Sequence, residues 1–70
     1  SNIPEPVRNL MHIAYIKALG EKLGILKIKQ NKTVISFVGP TPESSVKKDF
    51  KEKESYKLIT NISSFLEMML

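Results

Sequence analysis

Apolar residues between Pro4 and Leu23 recur at helical spacing, and they do so on two sides. Val7, Leu10, Met11, Ala14 and Ala18 fall on one face, while Ile13, Ile16, Leu19 and Leu23 form a second. Polar residues are squeezed into narrow strips, Arg8 with His12 and Asn9 with Lys17 and Glu21. A helix that is apolar on two sides is normally covered on two sides. This segment of roughly five turns is therefore expected to be gripped from outside as well as by its own domain. Pro4 and Pro6 suit a first turn, where a missing N–H costs nothing and a fixed φ is already helical. Glu5 complements the positive end of the dipole. Gly24 predicts a left-handed cap with Ile25 folded back on the last turn. Gly20 resists the pattern, costing about 1 kcal/mol against alanine inside a helix.

The period then changes. Ile25 to Gln30 and Thr33 to Val38 are rich in β-branched and aliphatic residues, and the polar break at Asn31-Lys32 reads as a hairpin turn. Leu26 and Ile28 are expected on one face of the first strand and Lys27 and Lys29 on the other; Ile35 and Phe37 alternate with Val34, Ser36 and Val38. Gly39-Pro40-Thr41-Pro42 breaks the sheet, and Thr41 can cap a helix from Pro42 to near Lys53. Only Val46 and Phe50 give that helix an apolar side. Ser55 to Thr60 is expected as a third strand, with Tyr56 and Leu58 on one face. Asn61 is then the cap of a last helix turning Ile62, Phe65, Leu66 and Met69 inward. The order α-β-β-α-β-α predicts an α+β fold. It consists of a small three-stranded, mainly antiparallel sheet, with a long N-terminal helix and two shorter helices on one side.

Seventy residues make a single domain, and a chain of this size buries only about 60% of its unfolded surface, so the core is thin. Ser1-Asn2 is read as a vector remnant, and residues 1–70 as a fragment of a larger domain. With no cysteine there is no disulfide framework and no thiolate metal site. A reducing cytoplasm is the expected compartment. No apolar run approaches the roughly 18 residues of a membrane span, so no membrane association is expected. The net charge of +4 invites a nucleic-acid reading. Against it, Lys47, Lys48, Lys51 and Lys53 are interleaved with Glu43, Asp49, Glu52 and Glu54, and there is a single arginine. That mixture describes a solvated face.

Chemistry has little to build on. His12 is the sole histidine and has no carboxylate one turn away on either side, which favours a structural role over a ligand or base. The glycines assemble neither phosphate-binding fingerprint, and no serine sits in a nucleophile-elbow turn. Tyr15, Phe37, Phe50, Tyr56 and Phe65 occupy core-compatible positions, not a base-stacking platform. No catalytic, cofactor-binding or metal-binding residue is assigned.

Three runs carry a resemblance. Ile3-Pro4-Glu5-Pro6-Val7-Arg8-Asn9-Leu10, Ile13-Ala14-Tyr15-Ile16-Lys17-Ala18-Leu19 and Lys22-Leu23-Gly24-Ile25-Leu26-Lys27-Ile28 resemble the C-terminal domain of the bacterial transcription-repair coupling factor. That family reads L-P-x-P-V-x-N-L-L, I-A-x-L-K-x-L-A and K-L-G-I-x-K-I at the same places. Its members are ATP-driven DNA translocases that displace stalled RNA polymerase from damaged template and recruit nucleotide excision repair. The resemblance implies a non-catalytic regulatory domain outside the motor, and the missing phosphate loop agrees. It implies docking on the N-terminal UvrB-like module, which masks the surface that recognises UvrA and restrains the factor. The family's acidic helix, ending in a D-R-F-G-like segment before the P-x-P motif, has no counterpart here, so none of its residues is carried over.

Together these readings make Ile13, Ile16 and Leu23 the expected partner contacts, with self-association of the isolated chain as a further expectation. The alternative is a small basic nucleic-acid-binding module using Lys27, Lys29, Lys32 and Lys57 on one sheet face.

Overall fold

The computed structural model describes residues 4–70. Ser1-Asn2 and the Ile3 that opens the first motif lie outside the described residues. Helix α1 spans Glu5–Leu23, 19 residues, and begins as expected with proline in its first turn. Pro4 stands before it in an extended conformation and accepts the Arg8 N–H at 3.0 Å. The far end closes as predicted. Gly24 takes φ 78, and the Ile25 N–H folds back to the Gly20 carbonyl at 2.8 Å, a pairing that satisfies carbonyls the last turn leaves open.

Strands β1 (Lys27–Asn31), β2 (Val34–Val38) and β3 (Val46–Asp49) form an antiparallel sheet in the order β1-β2-β3. Ile28 lies opposite Phe37, and Phe37 opposite Val46, so these share the face that looks at the helices. The hairpin forms one residue later than its asparagine signalled. Lys32, not Asn31, takes the left-handed conformation at φ 58, and the Gln30 amide donates to the Lys32 carbonyl at 3.0 Å.

Two elements differ in place from the sequence reading, although the order helix-strand-strand-helix-strand-helix holds. The second helix is a single 3-10 turn, Pro42–Ser44, capped by Thr41 as expected. It ends there because Val46 and Phe50 could give a longer helix almost nothing to bury, whereas the open edge of β2 offers backbone partners. The residues beyond it become β3. Lys48, on the core face opposite Ile35, lays its ammonium 5.5 Å from the Phe50 ring centroid and 5.7 Å from that of Phe65, so a charged residue is accommodated at the sheet edge.

Correspondingly, Ser55 to Thr60 is no strand but the first half of α2, Ser55–Met69. Asn61 is inside the helix, and Glu54 is the cap, its carboxylate accepting the N–H groups of Tyr56 at 3.1 Å and Lys57 at 2.8 Å. Tyr56 and Leu58 alternate over too few residues to separate the two periods. Leu58, Ile62 and Leu66, four apart and all buried, settle it as a helix.

Both helices and β2 meet in one core: Ile16 and Leu19 from α1, Ile35 and Phe37 from β2, Leu58, Ile62 and Leu66 from α2. Phe37 is 1% exposed. It stacks against Phe65 at 5.4 Å, and Phe50 meets Phe65 edge-on at 5.7 Å, geometries that add to area burial. Tyr15 and Met69, expected inside, are exposed.

Two glycine substitutions are expected to act in opposite directions. A Cβ on Gly20 would meet the Ile25 Cβ at 3.6 Å, an ordinary contact, so Gly20→Ala should stabilise by about 0.5–1 kcal/mol. A Cβ on Gly39 would stand 2.7 Å from the Ser44 backbone oxygen, so Gly39→Ala should destabilise by about 1–3 kcal/mol. Urea midpoints of the two variants against the parent chain check both signs.

Candidate interaction surface

The two apolar sides of α1 have different fates. Ile16 is 7% exposed and Leu19 is buried, with Leu23 packed against the same core. On the opposite side Val7 is 46%, Leu10 66% and Met11 57% exposed, and Ala14 and Ala18 are exposed between and beyond them. The helix is two-sided as its spacing predicted, but with the assignment exchanged. Of the expected partner contacts, Ile16 is sealed in the core, Leu23 is half-buried against it, and Ile13 alone reaches the surface at 39% exposure. Alanine is the missed signal. Ala14 and Ala18 leave the Val7 side with less area to bury, so the isoleucine and leucine side gains more by facing inward.

The strips between these sides tie α1 to α2. The Arg8 guanidinium lies 4.6 Å from the Tyr56 ring centroid, and His12 meets the same ring edge-on at 5.4 Å. His12, expected as an exposed structural histidine, is instead half-buried packing; its Nδ1 and the Asn9 Oδ1 are buried without a hydrogen-bond partner. Nearer the end of α2 the Tyr15 hydroxyl donates to the Glu67 carboxylate, which, with burial and the carboxylate charge behind it, raises the phenol above its ordinary value.

The face of the sheet away from the helices carries Lys27 and Lys29 on β1, Val34, Ser36 and Val38 on β2, and Lys47 on β3. Lys29 and Lys47 stand opposite Ser36 from either side. Of the lysines expected on one sheet face, Lys32 sits in the hairpin turn and Lys57 is on α2, away from the sheet, while Lys47 was missed because β3 was. At the end of this face Asp49 accepts the Thr33 hydroxyl at 2.7 Å and the Lys51 N–H at 2.9 Å. These bonds, the hydroxyl first, hold its carboxyl below the ordinary value.

Among the described residues no three histidine, cysteine or acidic side chains are grouped to hold a metal ion. No described helix is long and apolar enough to cross a membrane.

A family model for the TRCF domain matches residues 1–49. The chain belongs to the TRCF domain family. No curated protein and no solved structure matches it. TRCF domains are C-terminal domains of transcription-repair coupling factors, which places the chain in transcription-coupled DNA repair. The matched part of this TRCF domain holds α1 and the whole sheet; α2, which contributes Leu58, Ile62 and Leu66 to the core, lies beyond it.

The two shifted groups give the TRCF domain opposite pH responses. Asp49 has a lowered folded value, so its stabilisation is complete above the ordinary carboxylate range and is lost as pH falls through the folded value. Tyr15 has a raised value, so its contribution is complete below the ordinary tyrosine range and is lost as pH rises through the folded value. Thermal midpoints should show Asp49→Asn converging with the parent chain in acid, and Tyr15→Phe converging with it in alkali.

Proposed function

We propose that this TRCF domain is a non-catalytic regulatory domain that docks on the N-terminal UvrB-like module of its own coupling factor and holds the factor restrained. In that state the surface that recognises UvrA is masked. Engagement of RNA polymerase on DNA favours the open state and shifts the population, with no chemistry required of the domain. The ATP-driven translocation belongs to the motor elsewhere in the factor, and the work is done in the cytoplasm. The observation that carries the reading is the row of Val7, Leu10 and Met11 turned away from the core on a helix whose other side packs into it through Ile16 and Leu19. Apolar rows of that kind mark interaction sites more often than they decorate a monomer. The flat profile left by Ala14 and Ala18 lets another helix or sheet approach closely.

A second reading, nucleic-acid binding, has one observation in its favour: Lys27, Lys29 and Lys47 share the uncovered sheet face. Lysines at such spacing track phosphates but read no sequence, and binding of duplex DNA that falls steeply with salt would support it.

The two readings separate cleanly in the intact factor. Leu10→Asp with Met11→Asp should open the restrained state and raise UvrA affinity by roughly tenfold or more, since two charges would be forced into an apolar contact. The domain should remain folded with a slightly lower thermal midpoint, because both side chains are mostly exposed and only helix propensity is lost. Unaltered UvrA affinity in a folded variant rejects docking through this row.

A further inference from the structure

A groove of about 830 Å³ opens between α1, the tip of the β1–β2 hairpin and the start of α2. Isoleucine and leucine supply half of the residues that line it. Buried Ile16, Ile35 and Ile62 form its floor, and Ile13 and Ile59 are its apolar walls. Its rim is basic: Lys17 from α1, Lys32 from the hairpin turn and Lys53 from the segment before α2 converge on it from three separate elements. A single acid, Glu52, shares the rim, and its carboxylate accepts the Glu54 N–H at 3.2 Å.

We infer that this groove receives an amphipathic helix of a protein partner, apolar on the inserted side and acidic along both borders. The inference rests on the reading of the domain as a protein-interaction module, but it uses a surface separate from the Val7, Leu10 and Met11 row. Three features choose the occupant. The apolar floor calls for aliphatic anchors, which a helix delivers at i, i+3, i+4 and i+7. Three lysines against one partly engaged carboxylate select carboxylates beside those anchors, because charge complementarity sets which partner is accepted. Ile13, Lys17, Gln30, Lys32 and Lys53 of its lining are exposed, whereas sites for small molecules enclose most of the ligand, so the occupant is a segment of something larger. A second copy of the chain fits poorly. Its own exposed apolar row is bordered by Arg8 and His12 on one strip and by Asn9, Lys17 and Glu21 on the other, too little acid to match three lysines, and the chain carries a net charge of +4.

Gln30 agrees with this assignment. It occupies a core-side position of β1 opposite Ile35, where a fully packed domain would place an aliphatic residue, and it lines the groove instead.

The test uses the 70-residue chain and two synthetic helical peptides of roughly 15 residues. Both have leucine at the anchor positions, one bordered by glutamate and the other by lysine. Backbone amide shifts should move around Ile13 and Ile59 with the acidic peptide, which should bind at least about tenfold more tightly than the basic one. Reversing the exposed rim with Lys17→Glu, Lys32→Glu and Lys53→Glu should weaken the acidic peptide by about tenfold or more without unfolding the domain. Leu10→Asp with Met11→Asp should leave peptide binding intact. Loss of module docking in that variant alone concerns the preceding reading, and loss of peptide binding in the lysine variant alone concerns this one. Equal binding of both peptides, indifference to rim reversal, shifts confined to Val7 through Met11, or a dimer that occupies the groove would each overturn the inference.

Discussion

One constraint governs this chain: a three-stranded sheet and one further helix can cover only one side of α1. Among the described residues the core holds seven buried apolar side chains. Phe37 and Ile35 form its floor, Leu66 closes it from α2, and α1 contributes buried Ile16 and Leu19 with Leu23 packed at the edge. Three short strands and the 15-residue α2 have too little apolar surface to wrap both sides of a 19-residue helix. The outer row of α1 is left over from this geometry, and so is the groove, where the sheet tip and the start of α2 fail to close over Ile13.

Much of the fold is legible in residue order because local signals and the global arrangement agree. The proline start and glycine stop of α1 needed no tertiary context, and neither did the alternation of Ile35 and Phe37. The misplaced elements both fall after Gly39, where the local pattern is ambiguous. Val46 and Phe50 fit a helix as an i, i+4 pair and fit an extended run equally well, because an even spacing of four also keeps both on one face of a strand. What separates the two is the vacant edge of β2, a partner distant in sequence. Tyr56 to Thr60 contains β-branched residues in brief alternation, and tertiary burial of Leu58, Ile62 and Leu66 overrides that weak preference.

The interaction surface was half legible for a related reason. Spacing shows that α1 has two apolar sides, but period alone cannot rank them. The ranking depends on how much area each side removes from water, and there Ile16 and Leu19 exceed Ala14 and Ala18. The basic groove rim was beyond any local reading. Lys17, Lys32 and Lys53 come from a helix, a turn and a connecting segment, and only folding brings them to one opening.

The size of the exposed row bears on what docking through it could achieve. Burying a Val, Leu or Met side chain completely is worth about 1.5–3 kcal/mol. Val7, Leu10 and Met11 are already partly covered, so their combined contribution lies near 3–5 kcal/mol, before the losses that accompany ordering. Moving a two-state equilibrium from one part in a hundred to ninety-nine takes about 5.5 kcal/mol. A contact of this area, made within one polypeptide so that no translational freedom is lost, can therefore hold a restrained state without locking it. A second engagement of similar strength elsewhere on the factor suffices to release it. On the proposed docking, a fully apolar α1 surface would forfeit that reversibility, and alanine at positions 14 and 18 would keep the contact both close and weak.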